Sequence, residues 1–147
     1  MQSLKNKFAF TLVELMIVIA VISVLASIIM PKMSLSRNRA ELAACKNNLQ
    51  AIAKAAEMYS TANNNVYPPT CKLRLGTGVL ITQGYIKFML CPSDKTSDPL
   101  ASGYSYYYIL DTPTHYYVYC RYGVHTAVGV PVNYPRFDPA LGGLVDH

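Results

Sequence analysis

The sequence predicts an α+β fold in which one long N-terminal helix packs on a small antiparallel sheet. Three observations lead to this prediction. An apolar run opens the chain, a stripe of apolar residues with helical spacing follows it, and tyrosine-rich, β-forming segments fill much of the last third. The chain has 147 residues, so only one small globular domain fits beyond the apolar run.

The apolar run covers residues 8–30, and Glu14 is its only formal charge. As a helix, residues 12–30 would be about 28 Å long, close to the hydrocarbon thickness of a bilayer. Three interpretations fit: a signal peptide cut after Ala26, a plain membrane anchor, or a short basic leader cut ahead of a helix that is retained. Glu14 counts against the first two, because a carboxylate in hydrocarbon is costly and usually functional.

Helical spacing continues beyond Pro31. The apolar positions advance mainly by three or four residues, which predicts an amphipathic helix with one buried face; they are Leu35, Leu42, Cys45, Leu49, Ile52, Ala56 and Tyr59. We therefore predict that Pro31 kinks the helix instead of ending it. The turn-forming residues 61–65 and the prolines that follow them predict the helix end near Ala62.

The remaining residues are predicted to form a globular head. Residues 73–86 read as a short helix or an extended segment, and 91–94 as a turn. Two β-forming runs, 102–110 and 115–122, flank an Asp-Thr-Pro-Thr insert, which predicts a hairpin. We predict a third strand within 123–132 and a loop that covers the sheet from Asn133 onward.

The string AFTLVELMIVIAVISVLASI, residues 9–28, resembles the N-terminus of type IV pilins and type II secretion pseudopilins. In that family a basic leader is cut before a Phe, a Glu stands fifth in the mature chain, and a Pro follows at a fixed distance. Phe10, Glu14 and Pro31 match these features in register, whereas Ala9 stands where the family prefers Gly. The resemblance implies a pilin-like fold with a cleavable leader at 1–9, a membrane and filament-core helix at 10–31, an amphipathic helical half at 32–62, and a head at 63–147.

The resemblance also implies a function. Prepilin peptidase would cut after Ala9 and methylate Phe10, and Glu14 would pair with the Phe10 amine of a neighbouring copy during filament assembly. The expected partners are other copies of the chain, other pilin-like subunits, an inner-membrane assembly platform, and membrane lipid before assembly. The segments YSTANNNVYP, LITQGYIKFMLCPSD and DPLASGYSYYYI look like the major pseudopilin, so a periplasmic type II secretion pseudopilus is the favoured filament. A surface type IV pilus and a membrane-anchored binding module are the alternatives.

The four cysteines, Cys45, Cys71, Cys91 and Cys120, include no Cys-x-x-Cys pair, and the spacing of the histidines indicates no metal site. Behind a membrane-targeting segment, an even cysteine count predicts disulfides. Three full pairings are open, and we favour Cys45–Cys91 with Cys71–Cys120.

Charge and motif content exclude other classes of function. The net charge is +5 and the basic residues are scattered, so no nucleic acid partner is expected. No phosphate loop, nucleophile elbow or paired acid motif occurs, so we predict no enzyme and no cofactor. The resembling pseudopilins bind calcium through acidic loops. Asp138 and Asp146 are the only acidic residues near the end of this chain, which makes them weak calcium candidates.

Overall fold

The computed structural model describes residues 10–73, 78–94, 105–121 and 125–146, apart from the side chains of residues 30 and 31. The predicted leader, with Ala9, lies outside the described residues, so its cleavage stays a prediction. The chain divides into two compact units, Met1–Ser36 and Arg37–His147.

Helix α1 runs from Leu12 to Ala62, as the periodicity predicts. Its segment Leu12–Ile29 has a mean hydropathy of 2.8 and is long and apolar enough to cross a membrane. The helical assignment continues past Pro31, so this proline is not a helix stop. The predicted kink itself stays a prediction.

Asparagines end helix α1. Asn64 and Asn65 have φ angles of 53° and 61°, in the left-handed region that asparagine tolerates better than most residues. The Asn65 N–H donates to the Ser60 carbonyl at 2.9 Å, and the Asn63 side-chain amide donates to the Tyr59 carbonyl at 2.8 Å. The polar run after Thr61 therefore satisfies carbonyls that the helix end would otherwise leave without donors.

The second half of α1 buries the predicted stripe. Cys45, Leu49, Ile52 and Ala56 are each at most 1% exposed. Leu35 does not belong to the buried stripe, because its side chain is 46% exposed. The prediction is confirmed from the middle of the helix onward and is wrong for Leu35.

The head contains a five-stranded antiparallel meander in the order β1-β2-β3-β4-β5. Its elements are β1 (Cys71–Lys72), the short helix α2 (Val79–Thr82), β2 (Tyr106–Thr112), β3 (His115–Cys120), β4 (Arg136–Asp138) and β5 (Gly143–Val145), with 3-10 turns at Thr126–Val128 and Pro139–Leu141. The predicted hairpin is β2–β3, with Tyr106 opposite Cys120 and Thr112 opposite His115. The structure is therefore the predicted α+β, pilin-like arrangement.

The predicted third strand is wrong. Within its described part, 125–132, the chain forms a 3-10 turn that ends at Gly129, whose φ of 81° suits glycine. The strand that continues the sheet beyond the β2–β3 hairpin is β4. It comes from the tail after Asn133, which the sequence predicts to be a loop. Tail residues complete the sheet because a second left-handed glycine, Gly142, ends the 3-10 turn between β4 and β5 and lets the chain reverse.

Strand alternation separates two faces of the β2–β3 hairpin. Tyr106, Tyr108, Tyr116 and Val118 face inward and form one core with the α1 stripe. Tyrosines also occupy the outer face, where the Tyr107 and Tyr119 rings stack with centroids 5.4 Å apart. The tyrosine content thus serves packing on both faces of the hairpin.

A histidine on β3 predicts a pH-dependent stability. His115 Nε2 lies 3.0 Å from Asp138 Oδ1, and its Nδ1 lies 3.5 Å from Asp111 Oδ2. The hydrogen bond to Asp138 is the main cause that raises the pKa of His115 above its ordinary value. The charged His115 side chain therefore stabilises the fold fully below its unfolded-state pKa of about 6.5. This stabilisation is lost as the pH rises through the raised pKa of His115 in the folded state.

We expect His115→Gln to lower the Tm relative to the unmodified chain at about pH 5.5, and to lower it much less at about pH 9, where His115 is neutral in both states. Thermal unfolding followed by near-UV circular dichroism of the tyrosines measures the difference. An equal loss at both pH values would contradict a contribution from the charged imidazole.

Candidate functional site

The start of helix α1 carries the two predicted assembly residues, Phe10 and Glu14. Thr11 caps the helix: its Oγ1 accepts the Glu14 N–H at 3.2 Å. Glu14 Oε2 accepts the Thr11 N–H at 2.9 Å and the Thr11 hydroxyl at 2.8 Å. This reciprocal arrangement is a capping box, and the carboxylate also meets the positive end of the helix dipole.

The capping role of Glu14 was missed in the sequence, although Thr-x-x-Glu ahead of an apolar run is its signature. In a single subunit, the cap gives the carboxylate polar partners from its own chain. Phe10 lies next to Thr11 and is 79% exposed. The structure thus places both residues at one helix end, with Phe10 accessible.

The rest of the apolar half offers other molecules an almost wholly apolar surface. Its large side chains are about half exposed or more; they include Val13, Ile17, Val21, Val24 and Ile28. The hydroxyls of Ser23 and Ser27 donate to carbonyls of their own helix, each at 2.7 Å. The surface therefore needs lipid or other apolar helices as its surroundings, and small residues permit close helix approach.

The two calcium candidates are paired with cationic side chains of the head. Asp138 is 2% exposed; its carboxylate accepts the Ala140 N–H and pairs with Arg136 and His115. Asp146 pairs with Lys46 of α1. Because these groups compete with a cation for the carboxylate oxygens, the calcium hypothesis gains no support from these contacts and stays a prediction.

The predicted disulfides are not formed in the structure, where all four cysteines are free thiols. Cys71 pairs with Tyr108 across β1–β2, whereas Cys120 pairs with Tyr106 across β2–β3. Two strand spacings, about 10 Å, separate the strands of Cys71 and Cys120, whereas a disulfide needs Cα atoms within about 7 Å. The Cys71–Cys120 prediction is therefore wrong.

Cys45 and Cys91 do lie near each other, but as members of a larger group. Their sulfurs join Cys120 Sγ and a ring nitrogen of His125, with all four atoms within 4.8 Å of one another. All four residues are buried. We call this group the Cys3His cluster.

The four members of the Cys3His cluster come from separate segments. Cys45 belongs to α1, Cys91 opens the predicted turn 91–94, Cys120 ends β3, and His125 precedes a 3-10 turn. The sequence reasoning missed the cluster because three of its segments are far apart in the chain. One local signal existed: Cys120-x4-His125 has a spacing that zinc ligands use.

The thiols of the cluster differ in acidity. Hydrogen bonds from the Cys120 and Cys45 thiols are the main causes that lower the pKa of Cys91, and the Ser93 N–H adds to the effect. Hydrogen bonds to the Cys45 and Cys91 sulfurs, together with burial, raise the pKa of Cys120. Because the three sulfurs are this close together, a second thiolate would be buried beside the first, which disfavours more than one negative charge in the cluster.

Comparisons with known proteins agree with this architecture. Residues 4–30 match the family described as the prokaryotic N-terminal methylation motif. The chain is 30% identical over 102 residues to the type IV wide pilus major component PilA4 of Thermus thermophilus. The aligned region covers 69% of this chain and 77% of PilA4.

Type II secretion system core protein G is a second kind of relative. The protein from Vibrio cholerae is 27% identical over 118 residues, covering 72% of this chain and 74% of the relative. The protein from Escherichia coli is 30% identical over 105 residues, covering 71% of this chain and 62% of the relative. No solved structure matches the chain.

The N-terminal motif, the long helix on a small antiparallel sheet, and these relatives agree with one another. The chain belongs to the family of type IV pilins and type II secretion pseudopilins.

Proposed function

We propose that the chain is a structural subunit that polymerises through the apolar half of α1, most directly into a type II secretion pseudopilus involved in protein secretion. The observation that carries this proposal is the exposed segment Leu12–Ile29, none of which is buried within the chain. A surface this apolar needs a bilayer or a bundle of like helices around it. The core protein G relatives favour the pseudopilus.

Assembly moves this segment from lipid to a helical bundle. In the subunit, Glu14 is satisfied by Thr11. Leader removal after Ala9 would create an α-amine at Phe10, next to this capping box. Among packed apolar helices, a carboxylate and an amine from neighbouring copies stabilise each other only at the correct rise, because each is costly without the other. The pair would therefore set the register of the filament.

A type IV pilus is the second candidate, and one observation favours it. The chain covers 77% of PilA4, a pilus component, at 30% identity. Both filament types would use the same helix for assembly.

The leader gives the first test. In cells with an active prepilin peptidase, we expect N-terminal sequencing and intact mass to give a mature chain that begins with methylated Phe10. Ala9→Gly should be processed at least as fast, whereas the bulky Ala9→Leu should retain the leader. An intact leader on the unmodified chain in such cells would contradict the proposal.

The type of filament needs a second experiment in the native host. A pseudopilus predicts that deleting the gene abolishes secretion of exported proteins into the medium, while overexpression yields short filaments. Long surface fibres by electron microscopy, with secretion unaffected by the deletion, would instead support the pilus.

A further inference from the structure

The Cys3His cluster lies where the amphipathic half of α1, the turn 91–94 and the end of β3 meet in the core of the head. Filament assembly through the apolar half of α1 gives no reason for three thiols and an imidazole to converge there. Buried polar groups at such a point need partners, because none of them contacts water.

The spacing of the cluster fits one tetrahedral ion. Bonds of about 2.3 Å to sulfur and about 2.0 Å to nitrogen place a ligand sulfur and a ligand nitrogen about 3.6 Å apart. His125 Nε2 lies 3.2 Å from Cys91 Sγ and 3.9 Å from Cys120 Sγ, on either side of this value. The atoms can therefore close on a metal with shifts of a few tenths of an ångström at these two contacts.

The histidine is oriented for ligation. Its Nδ1 lies 3.3 Å from Ser93 Oγ, and the Ser93 hydroxyl donates to Glu41 Oε2 at 3.0 Å. Because this hydroxyl has only one proton, it accepts from Nδ1–H, which leaves the Nε2 lone pair facing the sulfurs. A histidine that ligates a metal commonly has such an outer hydrogen bond, which fixes its tautomer.

A disulfide explains the cluster less well. A disulfide between two of the three sulfurs would leave the third cysteine as an unpaired thiol. It would also give the buried Nε2 of His125 no strong hydrogen-bond donor. A single ion satisfies all four side chains at once.

We propose that the Cys3His cluster binds one structural Zn²⁺ ion. Three soft thiolates and one imidazole in a closed tetrahedral set are typical of structural zinc sites. Binding replaces the thiol protons, which pass to solvent, and involves no change in oxidation state. The ion would join α1 to β3 and to the turn 91–94, so that the head folds around it.

Metal analysis of the full chain, purified in detergent under reducing conditions and without a metal-affinity step, tests the proposal. We expect about one zinc per chain, and loss of nearly all of it in Cys91→Ser and in His125→Ala. Cys71→Ser is the matched control, because Cys71 lies outside the cluster and should retain the zinc. Thermal unfolding should give a Tm lower by about 10 °C or more for the two ligand variants only.

Two further measurements keep the test decisive if the ligand variants fail to fold. Cobalt exchanged into the unmodified chain should show intense tetrahedral d–d bands and thiolate-to-cobalt charge transfer. Ser93→Ala keeps all four ligands but loses the bond that orients the imidazole, and we expect its zinc affinity to fall about 10- to 100-fold.

The proposal would be overturned if the reduced, unmodified chain bound neither zinc nor cobalt above the level of Cys91→Ser. It would also be overturned if the chain from the native host carried no zinc and had lost two cluster thiols to a disulfide. Neither result would affect the filament proposal, which is tested by leader processing and by fibres.

Discussion

Glu14→Ala is expected to leave the leader processed and methylated but to abolish filament assembly. Without the carboxylate, each added subunit would bury its neighbour's Phe10 amine with no counter-charge. Breaking one partner of a buried ion pair costs about 3–5 kcal/mol, so the equilibrium constant for adding a subunit should fall by roughly a hundredfold or more. Sedimented filaments and electron microscopy measure the yield, and intact mass shows that processing is unchanged.

Thr11→Ala is the matched control for this experiment. Glu14 also caps α1 through Thr11, and losing a helix cap costs about 1 kcal/mol. Thr11→Ala removes the side-chain part of the cap and keeps the charge, so it should assemble nearly normally. Normal filament yield from Glu14→Ala would refute the assembly role, and an equal loss in both variants would assign the effect to capping.

Leu49→Ala is expected to destabilise the head by about 2–5 kcal/mol, because it leaves a cavity between helix and sheet. Leu49 is fully buried on α1 between Cys45 and Ile52, in the core shared with Tyr106. Urea unfolding of the detergent-solubilised chain, followed by near-UV circular dichroism of the tyrosines, gives the free energy of unfolding.

Met58→Ala is the control for Leu49→Ala, since Met58 lies on the same helix and is 59% exposed. We expect a change within about 0.5 kcal/mol. If the two variants lost equal stability, the stripe that begins at Cys45 would not be the side of α1 that packs on the sheet.

The sequence predicts the parts of the fold that local chemistry decides. The periodicity from Leu42 to Tyr59 identifies a helix face, and an Asp-Thr-Pro-Thr insert between two tyrosine-rich runs identifies a hairpin. Strand β4 was missed because Arg136–Asp138 is too short to show alternation and forms only against β3 and β5.

In the candidate site, too, some residues can be predicted from the sequence and others cannot. Phe10, Glu14 and Pro31 lie in one segment, so their register is readable from the sequence. The Cys3His cluster is not readable in this manner, since Cys45 and Cys91 meet Cys120 only after the sheet has packed on α1. The even number of cysteines therefore predicted disulfides, and the favoured pairing joined Cys120 to Cys71. The strand register keeps these two residues apart.

The short outer strands of the sheet affect how strongly neighbouring heads in a fibre of these subunits can bind one another. β1 has two residues and β5 has three, so each described edge offers a foreign chain few ladder hydrogen bonds, worth about 1 kcal/mol each. Heads crowded along a fibre therefore gain little from strand exchange or cross-β stacking. In the proposed filament the apolar helices would then supply much of the cohesion, and the same helices can also be surrounded by lipid. We therefore expect that a polymer held in this way can come apart without unfolding its heads.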